Sequence, residues 1–150
     1  MVDLRLIILD YYYNPLTKGS NSIKAVLPAI LNSCNFLKNK YSKPISEINL
    51  TSINFDDQHL WIQIKDQKVI NPYKLLPPIF NQFGKEELEH FISGLDTISD
   101  GGAALTAYSK LQFVDMSKKE RDSIKKSLFK YCELDTLAMV MIYEHLKTLI

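Results

Sequence analysis

The chain has no excess of either charge, no long apolar run, no paired cysteines and none of the compact catalytic signatures. Its 18 Lys and Arg stand against 17 Asp and Glu, a formal net charge of +1. That balance supplies no global attraction for nucleic acid or an anionic membrane, so any nucleic-acid site has to be local. Cys34 and Cys132 lie far apart and form no C-x-x-C pair. A reduced cytoplasmic protein is the expectation, with both cysteines read as small hydrophobes. No window approaches the roughly 18 apolar residues of a membrane span, and Asp3, Arg5 and Asp10 interrupt the N-terminal apolar run, which excludes a signal peptide on pattern. His59, His90 and His145 lack zinc-site spacing and read as surface or helix-flank residues. There is no G-x-S-x-G elbow and no phosphate-binding G-x-x-x-x-G-K-S/T.

What is present is an ordinary globular composition, 46% hydrophobic and 23% charged over 150 residues, the size of one domain. The spacing of Leu4, Ile7, Ile8 and Tyr11 favours a helix that stops at Asn14-Pro15. Ser20 or Ser22 caps a second helix, which Pro28 kinks or restarts. Residues 32–44 are polar and basic and read as a surface connection. Trp61, Ile62 and Ile64, then Val69 and Ile70, flank the polar turn 65–68 as a small hairpin. A helix is expected over GKEELEHFISGL, ending near Gly94, and another after Asp100 with Ala104, Leu105, Tyr108, Leu111 and Gln112 on one face. Ser117 and Glu120 have capping-box spacing, opening a helical pattern that runs toward Ile150 with one break around 131–135. The fold class is therefore α+β, mainly helical with a small β-hairpin.

One residue in that last segment is out of place. On the face Leu128, Tyr131, Asp135, Ala138, Met139, Ile142, Leu146, Leu149, Asp135 is the charged member. Burying an unpaired carboxylate costs several kcal/mol, so something has to compensate. An N-cap for a helix starting at Thr136, a buried ion pair, or a divalent cation with Tyr131 orienting a water would each do so.

The stretch YCELDTLAMVMIYEHL, residues 131–146, resembles the third motif of the 3′–5′ exonucleases that use acidic residues to bind two metal ions, in the tyrosine variety with pattern Y-x-x-x-D. With GSNSIKAVLP, NPYKLLPP and DGGAALTAYSKLQF, it is similar to the C-terminal part of an uncharacterised bacterial family assigned to that exonuclease-like superfamily. The resemblance implies a partial RNase H-like domain lacking most of its central sheet, one domain over 1–150 with an insert-like region about 33–98. It also implies catalytic roles for Tyr131 and Asp135 in a complete site, with Asp135 as a ligand of Mg or Mn.

The same resemblance shows what is missing. No D-x-E occurs in the chain, and Asp3 matches the Asp-Leu that follows the second acidic motif of the family. One aspartate cannot hold two divalent ions, so the chain is expected to be silent alone, truncated or split. An upstream chain supplying carboxylates would make it an exonuclease on DNA or RNA; an interaction module is the third reading. Loss of the sheet would expose apolar helix faces, which points to marginal stability, a partner chain or self-association. Asp56, Asp57, Asp96, Asp100, Asp115, Glu120 and Glu133 read as solvated surface and caps. Lys118, Lys119, Arg121, Lys125, Lys126 and Lys130 read as a solvated face, with phosphate contact the alternative, and Tyr11 to Tyr13 as a helix end packed on the core.

Overall fold

The computed structural model describes residues 3–76 and 100–150, with the backbone alone for 100–103. The molecule is mainly helical with a two-stranded antiparallel sheet. Contacts divide it into two compact units, one of residues 1–76 and 134–150, the other of 77–133. Among the described residues no helix is long and apolar enough to cross a membrane. The helix expected over GKEELEHFISGL lies outside the described residues.

In the first unit, Asp3 caps α1 (Leu4–Tyr11) by accepting from the Arg5 amide at 2.8 Å. The helix ends before Asn14, whose side chain accepts from the Leu16 amide at 3.0 Å and starts a 3₁₀ turn at Pro15. Helix α2 (Ile23–Ser33) continues through Pro28 without a restart. The missing proline N–H leaves the Lys24 carbonyl without its usual helical donor. The helix buries Val26, Leu27, Ala29, Ile30 and Leu31 and so forms the middle of this core.

Residues 35–41, expected as a surface connection, instead form α3 (Asn35–Tyr41). Cys34, Leu37 and Tyr41 recur at helical spacing and all three are buried, which outweighs the surrounding lysines. The following loop is tied down by main-chain bonds, Ile45 to His59 at 3.1 Å and Ile62 to Tyr41 at 3.0 Å. Strands β1 (Ile64–Lys65) and β2 (Lys68–Val69) make the expected hairpin, with Ile64 opposite Val69. Asp66 and Gln67 both take positive φ, 50° and 62°, as a two-residue hairpin turn with right-handed strand twist requires. Asn32 of α2 pins the hairpin by accepting from the Val69 amide at 3.0 Å.

The second unit contains α4 (Asp100–Phe113) and the start of α5 (Lys118–Lys147). The apolar face of α4 differs from the expected one. Ala107 and Leu111 are buried with Ile124, while Leu105 and Tyr108 are exposed. The capping box forms as read. The Ser117 amide donates to Glu120 at 2.8 Å and the Glu120 amide donates back to the Ser117 hydroxyl at 3.3 Å. Helix α5 then runs unbroken to Lys147, so the break expected around 131–135 does not occur. No glycine or proline interrupts it, and Asp135 has a side-chain partner rather than a capping role.

Candidate functional site: a tyrosine-held carboxylate on the long helix

The buried stripe on the C-terminal part of α5 is Leu134, Ala138, Met141, Ile142 and His145. It is rotated by about one residue from the face the sequence suggested, and Met139 and Leu149 are exposed. Asp135 therefore flanks the stripe, half-buried. Its carboxylate accepts a hydrogen bond from the Tyr73 hydroxyl at 2.7 Å. None of the three compensations weighed from sequence included this phenol. A hydrogen bond to a charged acceptor contributes about 1.5–3 kcal/mol net, enough to offset much of the cost of partial burial.

Tyr73 owes its position to local chemistry. Asn71 accepts from the Tyr73 amide at 3.1 Å, and Pro72 sets φ for the first residue of a 3₁₀ turn, Pro72–Lys74. The same Asn-Pro device opens the turn at Pro15. Lys24 of α2 places its ammonium 5.7 Å from the centre of the Tyr73 ring, on a cation–π contact. Tyr73 is thus held between α2, through Lys24, and α5, through Asp135.

Tyr131 is half-buried on α5, one turn before Asp135. Of the other acidic candidates, Asp56, Asp57 and Asp115 are exposed, and Glu120 is committed to its capping box. Hydrogen bonds from the Ser117 side chain and backbone hold the Glu120 carboxyl below its ordinary pKa. Asp96 lies outside the described residues, and the side chain of Asp100 is among those not described. Among the described residues no group of three or more His, Cys, Asp or Glu is placed to hold a metal ion. This donor set does not fit a two-metal site, which needs several carboxylates.

Three further polar features belong to the same unit. Glu144 accepts from the Lys40 ammonium at 2.6 Å and from the Tyr41 hydroxyl at 3.1 Å, fastening α3 to α5. Burial, with the Glu144 charge beside it, pushes the Tyr41 hydroxyl well above its ordinary pKa. His145, expected on a surface, is buried with its ring edge-on to Tyr12, centroids 5.6 Å apart. Desolvation lowers its pKa, and Nδ1 has no hydrogen-bond partner among the described residues. His59 is half-buried and stacked on Phe55 at 3.6 Å; burial lowers its pKa, against the opposing charge of Asp56.

Several surface readings also change. Cys34 is buried as a small hydrophobe, but Cys132 is exposed. Tyr12 packs on the core, whereas Tyr11 and Tyr13 are exposed. Arg121 of the basic stretch turns back to donate to the Leu111 carbonyl at 2.9 Å, satisfying a group near the end of α4. Sequence reasoning missed Tyr73; the available signal was the Asn-Pro-Tyr turn, which fixes a phenol without naming its partner. No family model, no curated protein and no solved structure matches this chain.

Proposed function

We propose that this chain is a nuclease-like helical domain of partial RNase H-like architecture, catalytically silent by itself, in which Asp135 has a structural task. The observation that carries the reading is the 2.7 Å hydrogen bond from Tyr73 to Asp135. A carboxylate already held by a phenol needs no cation to balance its burial. The Y-x-x-x-D spacing supports the nuclease ancestry: Tyr131 and Asp135 lie one turn apart on one continuous helix.

That continuity also favours a second reading, in which another polypeptide supplies further carboxylates and Asp135 becomes one of several ligands. Single-stranded DNA and RNA, labelled at the 5′ end and incubated with Mg²⁺ or Mn²⁺ and the chain recovered from its own cells together with any polypeptide bound to it, separate the two. The first reading expects full-length oligonucleotides throughout. Metal-dependent shortening from the 3′ end that disappears in Asp135→Asn would overturn it.

A further inference from the structure

Helix α1 has the sequence LRLIILDY and is apolar nearly all round, yet among its side chains only Ile8 is buried. The apolar faces of a helix are normally covered. One flank, with Leu4, Ile7 and Tyr11, borders a 620 Å³ groove shared with Tyr143 and Leu146. The outer face carries Leu6 and Leu9, 53% and 40% exposed.

The charges bordering that outer face specify what fits it. At 3.6 residues per turn, Arg5, Leu9, Leu6 and Asp10 are neighbours around the helix and together span an arc of about 140°. The two leucines are in the middle, with a cation on one edge and an anion on the other. With Arg5 at g, Leu6 at a, Leu9 at d and Asp10 at e, this is the g-d-a-e order around the seam of a two-stranded coiled coil. In a parallel pair, a g residue meets the e residue five positions on in the other strand. Arg5 of each copy would therefore face Asp10 of its mate, giving two opposite-charge pairs. In an antiparallel pair, Arg5 would face Arg5 and Asp10 would face Asp10. Arg5 and Asp10 are both exposed, and neither has an ion-pair partner among the described residues.

We infer that the Leu6–Leu9 face of α1 is the seam of a parallel two-fold dimer between two copies of this chain. The seam is two helical turns long, so the association is weak. The inference is independent of the nuclease reading, because it uses neither Tyr131 nor Asp135.

Sedimentation equilibrium of the full chain, from low micromolar to several hundred micromolar, tests it. The expected result is a concentration-dependent rise from the monomer mass to twice that mass. Leu6→Glu weakens association roughly hundredfold, and Arg5→Asp or Asp10→Arg alone roughly tenfold. The double variant Arg5→Asp with Asp10→Arg returns to within about threefold of the starting affinity, since the pairs are exchanged and not lost. All four positions are exposed, so far-ultraviolet circular dichroism should be the same for every variant. A chain that stays monomeric throughout, a dimer that survives Leu6→Glu, or single charge reversals without effect would overturn the inference.

Discussion

From Lys118 to Glu133, α5 buries Ile124 and Ser127, half-buries Leu128 and Tyr131, and exposes mostly charged side chains together with Phe129; from Leu134 to Lys147 it buries Leu134, Ala138, Met141, Ile142 and His145. The first stretch begins at a capping box and shares a small cluster with Ala107 and Leu111. The second is built into a core with α2, α3 and the hairpin, and adds the Tyr73 and Lys40–Glu144 links. One regular helix is thus held in two ways. Where neighbours among the described residues are few, local backbone satisfaction is the visible support; where they are many, burial is.

Truncations in the two stretches should separate those contributions. Leu134→Ala empties a fully buried position and is expected to cost about 3–4 kcal/mol, against about 2–3 kcal/mol for Ile124→Ala, read from urea unfolding. Equal costs would mean that the two stretches are packed alike. Next in size is the cap: Ser117→Ala removes the acceptor for the Glu120 amide and should cost about 1 kcal/mol. Its effect should appear in amide exchange of the first turns of α5 and leave the turns after Leu134 unchanged.

The smallest effect is a pH dependence confined to the well-packed unit. His145 and His59 both titrate below their ordinary value of 6.5 when folded. The unfolded chain then binds protons more readily, so their contribution is fully present above about pH 6.5 and is lost as pH falls toward the folded pKa values. Melting temperature should decline from pH 7 to pH 5, and His145→Phe should flatten part of that decline. A melting temperature that rises over the same interval would reverse the sign assigned to these histidines.

The sequence made the local devices legible because their chemistry is local. Ser117 with Glu120, the helix stop at Asn14-Pro15, and the polar turn between Ile64 and Val69 need only their immediate neighbours. Reading the long-range arrangement was harder. Apolar residues on α5 are dense enough to support two overlapping stripes, one through Met139 and Leu149 and one through Leu134 and Met141. Tertiary contact selected the second. The basic residues of 35–43 masked the spacing of Leu37 and Tyr41, and the partner of Asp135 lies 62 positions away in a turn whose phenol points to no particular target in sequence.

If Tyr73 and not a cation compensates Asp135, a double-mutant cycle shows it. Tyr73→Phe, Asp135→Asn and the pair together are unfolded in urea, with chelator and again with Mn²⁺. The account predicts a coupling energy of about 1–2 kcal/mol that is the same in both conditions. A coupling near zero, accompanied by Mn²⁺ stabilisation that vanishes in Asp135→Asn, would contradict it and return Asp135 to the role of a metal ligand.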